Sequence, residues 1–354
     1  YAPFYEGLAV PEQYLSELPV TIVWFKAPPG EKVEPVLISR KLFVDVNTNA
    51  RPVSQARNIL LDDSRIETIA TGAFYQTMAE KGFECSELSL LQSAFDCEEV
   101  YEPEVSIISP TIAEYGLKWF LLGNDSYVEP GRTIERESVK KQENYQSAMD
   151  LLGVDVRNLI VRVGEGDHEA VFDLRKALKD NVAEKIYDLY NNWALLGAHF
   201  KACAAVAAWA GGEPTPAPTV WTKIFAGGEG LYLSYRRLEG TEALNDKSKR
   251  YLKEIQRIQS KFVDIRSDQL GWSSKVTTDV FGIVRTKAFF AGFLMAYAYL
   301  IKHSRSIDEA HKKYIETINK IPNGFWGVAF SESRGQIIGK LEPKRWTHIR
   351  DLIL

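Results

Sequence analysis

Arg132, Arg136, Lys140 and Lys141 follow the Pro130-Gly131 turn inside an otherwise acidic stretch. Steps of four residues would set Arg132, Arg136 and Lys140 on one face of a helix. A second basic set lies at expected helix ends: Lys275 in Gly271-Trp272-Ser273-Ser274-Lys275, Arg285 with Lys287, Lys302 with Arg305, and Arg334 followed by Lys340. Cations and backbone N–H groups at such ends suit phosphate oxygens, and contacts of that kind carry no base sequence. The chemistry expected of both sets is charge-based binding of a polyanion, in a groove for single-stranded nucleic acid between two lobes.

Bond-making chemistry has little local support. The sequence lacks GxxxxGK[ST], GxSxG and HExxH. Gly164-Glu165-Gly166 and Gly227-Gly228-Glu229-Gly230 lack the full dinucleotide spacing and read as turns. His168, His199, His303, His311 and His348 include no pair four residues apart, and Cys85, Cys97 and Cys203 form no CxxC or CxxH. No metal, cofactor or catalytic residue is expected, although a site assembled from dispersed Ser, His and acidic residues stays open. The scattered cysteines fit a reducing compartment rather than a disulfide framework.

The 354 residues are 45% hydrophobic and 25% charged, ordinary globular composition, and the net charge of −4 rules out a strongly basic histone-like binder. That total hides an asymmetry. Residues 1–150 hold 13 Lys and Arg against 24 Asp and Glu, a net of −11, and residues 151–354 hold 30 against 23, a net of +7. Such a dipolar chain can offer a local positive surface to a polyanion, or pair head to tail with its own copies. The longest apolar run, Ala288 to Ile301, falls short of the ~20 residues that cross a bilayer, so no membrane span is expected and the protein should be soluble. The chain begins at Tyr1 with no methionine and no basic-then-apolar leader, which reads as a trimmed end.

These residues need a mainly α-helical frame. Pro19 to Phe25 and Pro35 to Val46, rich in β-branched and aromatic residues and joined by turn chemistry, read as a β-hairpin. Residues Ile66 to Lys81 read as a helix stopped by Gly82, and residues 95–113, with prolines and an acidic cluster, as an exposed connection. Val171, Leu174, Leu178, Val182, Ile186 and Leu189 share one helical face. Ala194 to Ala210 should pack tightly and end at Gly211-Gly212, before a Pro-rich loop near which a boundary between lobes is expected. Tyr251, Leu252, Ile255, Ile258, Phe262 and Ile265 mark another amphipathic helix, whose opposite face carries Lys249, Lys253, Arg257 and Lys261; that pattern is most often a solvated face. Ala288 to Ile301 should be a buried central helix.

In collinear order the motifs resemble those of nucleoproteins of non-segmented negative-strand RNA viruses, most closely the rhabdovirus type. The resemblance begins at Pro11-Glu12-Gln13-Tyr14 and Leu18-Pro19-Val20 and continues through Trp119-Phe120-Leu121-Leu122-Gly123 to Gly131-Arg132 with Lys141 nine residues on. It then takes in His199-Phe200-Lys201-Ala202-Cys203-Ala204-Ala205, which is similar to a hinge-region motif, and Leu270-Gly271-Trp272-Ser273-Ser274-Lys275, which is similar to a Ser-Ser-Lys loop. Lys302-His303-Ser304-Arg305 and Arg334-Gly335-Gln336-Ile337-Ile338-Gly339-Lys340 resemble two later basic contacts. Departures are Val276-Thr277-Thr278-Asp279 in place of Ser-Pro-Tyr-Ser, Asn191 and Asn192 in place of an Arg, and a shorter segment between Ser306 and Arg334.

The resemblance implies a protein that coats genomic single-stranded RNA and polymerises along it. An exchange arm over 1–18, a first lobe over 19–198 and a second over 199–354 would clamp the strand. RNA contacts would come from Arg132, Arg136, Lys140, Lys141, Lys201, Ser274, Lys275, Lys302, Arg305 and Arg334. Partners would be further copies through the arm and the second lobe, with a viral phosphoprotein and polymerase, in the virion and the host cytoplasm or nucleus. Two rival expectations are a coat protein assembled mainly by protein contacts and a cytosolic helical enzyme.

Overall fold

The computed structural model describes residues 38, 39, 42, 55–81, 108–122, 129–131, 151, 155–212, 246–330 and 343–354. The described part is mainly α-helical, with Ile108 as an isolated bridge residue and no strand among the described residues. The hairpin expected over 19–46 is corrected at Ile38, Ser39 and Leu42, which are helical; its remaining residues lie outside the described ones. Ile38 and Leu42 stand four apart, a helical spacing that the β-branched content of the stretch concealed.

Three helices form one side of the core: α1 (Gln55–Leu61), α2 (Ile66–Glu80) and α3 (Pro110–Leu122), each packed on the other two. The start of α3 corrects the expected exposed connection, because Ile108 to Ala113 are all buried. Ser109-Pro110 is a helix start: proline needs no N–H partner at the first position, and the Ser109 hydroxyl accepts from the Ile112 N–H at 3.3 Å. Next come α4 (Val156–Gly164) and α5 (His168–Leu178), capped by Asp155 and Asp167, whose carboxylates accept backbone N–H bonds. A π-helical turn, Lys179–Ala183, joins α5 to α6 (Glu184–Asn192). Leu174, Leu178, Val182 and Ile186 are all buried. Steps of four drift by about 40° each around a 3.6-residue helix, and the wider π turn restores the phase.

Helices α7 (Ala194–Gly212), α8 (Asp246–Leu270), α9 (Ser274–Val284) and α10 (Lys287–Lys302) follow, then α11 (Ile307–Lys320), α12 (Asn323–Ala329) and α13 (Pro343–Ile353). The expected central helix is α10, buried without interruption from Ala288 to Tyr297 and packed against α3, α9, α11 and α13. Its aromatic ridge recurs every four residues. The Trp193 ring stacks on Phe289 and Phe293 with centroids 6.0 and 5.5 Å apart, Phe293 meets Tyr314 at 5.2 Å, and Tyr297 stacks on Phe120 at 5.8 Å. The Tyr314 hydroxyl donates to the Phe293 carbonyl at 2.7 Å, so this phenol is satisfied inside the core. Gly292 lets α13 approach: a Cβ there would sit 2.6 Å from the Trp346 carbonyl oxygen and 2.7 Å from the Ile349 Cβ.

One hydrophobic cluster draws on α2, α3, α5, α6, α7, α9, α10, α11 and α13 alike, and residues 198 and 199 lie inside α7. No single helix among the described residues is long and apolar enough to cross a membrane; α9 and α10 would suffice only together, and they meet at a 71° bend.

Candidate nucleic-acid interface

Helix α8 packs along α7, and a buried cation–aromatic cluster sets its rotation. The Arg266 guanidinium lies 4.2 Å from the Phe281 ring centre and 5.9 Å from that of Phe262, while His199 stacks on Phe262 at 5.9 Å. Arg266 Nε donates to the Phe262 carbonyl at 3.2 Å, and the Ser267 and Thr277 hydroxyls are 2.8 Å apart, which fastens α8 to α9. With that face turned inward, Lys249, Lys253, Arg257 and Lys261 are all exposed, as the sequence pattern implied.

The turn after α8 brings three sequence-derived candidates, Lys201, Ser274 and Lys275, to one end of that helix. Gly271 adopts φ +68°, a left-handed conformation that glycine takes without strain, and the Trp272 N–H donates to the Ser267 carbonyl at 3.0 Å, a Schellman closure of α8. Ser273 then caps α9, accepting from the Val276 N–H, so that Ser274 and Lys275 stand exposed on the first turn of α9. From α7, Lys201 donates to Gln269 Oε1 at 3.4 Å. Lys201, Ser274 and Lys275 therefore belong to one end of α8. Asp279, one turn further into α9, is half-buried.

Lys302 and Arg305 form a separate group at the far end of α10, about 23 Å along its axis from Lys287. Lys302 donates to Glu129 Oε1 at 2.8 Å, and His303 Nε2 lies 3.2 Å from the same oxygen. The hydrogen bond from Lys302 holds the Glu129 carboxyl below the usual carboxylate range. Two residues on, the Gly131 N–H donates to both oxygens of Asp351 at 3.3 Å, and Asp351 in turn accepts from the buried Arg350 Nε at 2.7 Å. The Glu129–Gly131 turn, which leads directly into Arg132, is thus pinned beside Lys302 and His303. Arg132, Arg136, Lys140, Lys141 and Arg334 lie outside the described residues. Arg305 is exposed, and its backbone N–H donates to Glu309 at 3.1 Å.

Glu129, Asp351 and Gln269 were not singled out by sequence reasoning. Their partners lie 68 to 220 residues away, a separation that leaves no local pattern. Pro130-Gly131 was the one available signal: a turn followed by cations needs an anchor before it.

Two other features bear on rival chemistry. Asp188 Oδ2 lies 2.7 Å from His311 Nε2, and His311 Nδ1 lies 3.4 Å from the Tyr297 hydroxyl, a carboxylate–imidazole–phenol chain. Tyr297 is fully buried, and burial drives its phenol pKa up, the reverse of an activated nucleophile; the chain clasps α6, α10 and α11. A cleft of about 490 Å³ between α4 and α5 is lined by Asp155, Asp173 and Asp180 with Lys176, a charge balance that repels phosphate. Among the described residues no group of His, Cys, Asp and Glu could hold a metal ion. Comparison of the chain with protein-family models, with characterised proteins and with solved structures finds no match.

Proposed function

We propose that this protein is a nucleoprotein that binds single-stranded RNA independently of sequence and polymerises along it, forming the coated template of a viral polymerase. In this reading residues 19–198 and 199–354 act as two lobes around the strand, and residues 1–18 exchange onto a neighbouring copy. The phosphoprotein and polymerase are its partners in the virion and infected cell. Lys201, Ser274 and Lys275 grip phosphates at one end of α8, Lys302 and Arg305 at the end of α10, and Arg132, Arg136, Lys140, Lys141 and Arg334 complete the contacts. The mechanism is binding without bond-making, driven by release of counterions from the RNA backbone.

The observation that carries this reading is the corner at Glu129–Gly131. There Glu129, three residues before Arg132 in the acidic half, accepts from Lys302 at the basic end of α10, and Gly131 donates to Asp351 on α13. Glu129 and Lys302 are 173 residues apart in the chain, and their contact supports one polyanion shared by the cations that follow Gly131 in sequence and those at the end of α10. The test is charge reversal in two pairs, Arg132→Glu with Lys141→Glu and Lys201→Glu with Lys275→Glu, in the purified protein. Each pair should strip bound RNA while the helical circular dichroism stays unchanged. Unchanged RNA content in both would overturn the assignment, and assembly that survives both would favour a coat built on protein contacts.

A further inference from the structure

The exposed face of α8 carries a feature that the contacts above leave unused. Lys249, Lys253, Arg257 and Lys261 occupy successive four-residue steps, each about 6 Å further along the axis, so the four span about 18 Å. All four are exposed, and the opposite face of the helix is turned toward α7. Each step also rotates the position by about 40°, so the row winds obliquely over the helix. Beyond Lys261 the face changes sign at the exposed Asp264 and Asp268, which gives the row a definite end.

We propose that this row is a track for consecutive backbone phosphates of single-stranded RNA, one phosphate per cation, lying outside the contacts at Lys201, Lys275 and Lys302. The proposal rests on the nucleoprotein reading and extends its footprint. Equal spacing of like charges matches a polymer with one charge per repeat unit, and each neutralised phosphate contributes through counterion release. Lys249 and Arg257 keep partners within the protein as well, so phosphate joins or replaces those contacts.

A second copy of the chain fits the row less well. Antiparallel pairing of α8 about a point between positions 258 and 259 would set Lys249 and Lys253 against Asp268 and Asp264. It would also crowd Arg257 and Lys261 of both copies at the centre with no carboxylate between them. A phosphate strand neutralises all four cations.

The experiment is equilibrium binding of labelled oligouridylate to the full chain across a salt series. It compares the unaltered protein with Lys249→Gln/Lys253→Gln/Arg257→Gln/Lys261→Gln and with the milder Lys249→Gln/Lys253→Gln. Glutamine keeps helix propensity and removes only charge. At about 0.7 of slope per phosphate on a single strand, the fourfold variant should lose about 3 from the slope of log K against log salt, and the double variant about half of that. An unchanged slope with strong binding overturns the track and leaves the nucleoprotein reading standing. Unchanged RNA binding with lost self-association assigns the row to contacts between copies and also overturns it. Failure of the unaltered protein to bind oligouridylate at low salt defeats the nucleoprotein reading itself.

Discussion

Helices α10 and α8 are the two extremes of this molecule. Along α10, buried from Ala288 to Tyr297, a ridge of Phe289, Phe293 and Tyr297 meets Trp193, Tyr314 and Phe120, and Gly292 admits α13 at backbone distance. Helix α8 is closed on one side only, by Arg266, Phe262 and His199, and leaves a row of cations exposed on the other. The difference lies in what each helix can lose. Side chains on α10 hold the fold, so changing them costs stability. Those on the outer face of α8 contribute little to the fold and can be specialised for a ligand.

Substitutions can break that contrast, and the largest effect is expected at its centre. Trp193→Ala should destabilise the protein by about 3–5 kcal/mol in chemical denaturation, because it leaves a cavity against Phe289, Phe293 and Trp326. Gly292→Val forces α13 away from α10 and should cost about 1–3 kcal/mol by the same measurement, with the Trp346 environment altered in near-ultraviolet circular dichroism. By contrast, the glutamine substitutions on α8 should leave stability within about 0.5 kcal/mol.

Acid sharpens the contrast at the surface. Hydrogen bonds from Lys302, Lys179 and Lys185 hold the carboxyls of Glu129, Glu80 and Asp308 below their ordinary values. A depressed carboxyl stabilises the fold above its unfolded pKa, and that contribution is lost as pH falls through the folded value. Thermal midpoints should therefore be level near neutrality and fall once pH drops below about 4. Smallest of all, Glu129→Gln should barely change the midpoint, since solvent screens an ion pair at the surface. It should nonetheless raise RNA affinity severalfold in the same binding assay by releasing Lys302 and His303 from a competing carboxylate.

The sequence revealed most where one helix answers to its own periodicity. The apolar run of α10, the helix of α7 over its Ala-rich stretch and the exposed cation row of α8 could all be read locally. The shared face from Val171 to Leu189 was also legible, but not the π turn inside it, although the unbroken four-residue steps from Leu174 to Ile186 contained that signal. Ile38 and Leu42 misled because β-branched content outweighed spacing, and Ser109-Pro110 was read as a connection when it is the capped start of a buried helix. For the candidate site, residue types and helix-end positions were legible at Ser274, Lys275 and Lys302, whereas Lys201, inside α7, came only from the resemblance. Grouping was not, because Glu129 reaches Lys302 across 173 residues and Gly131 reaches Asp351 across 220. Such pairings are set by packing of the whole core, and no window of sequence contains them.

The most direct test of the central claim is the absorbance ratio at 260 and 280 nm of the protein purified at low salt, repeated after ribonuclease and after a high-salt wash. A nucleoprotein should give a large particle with a high ratio that resists ribonuclease and falls with salt. A particle or monomer with a protein-like ratio that also fails to take up added single-stranded RNA would contradict the account.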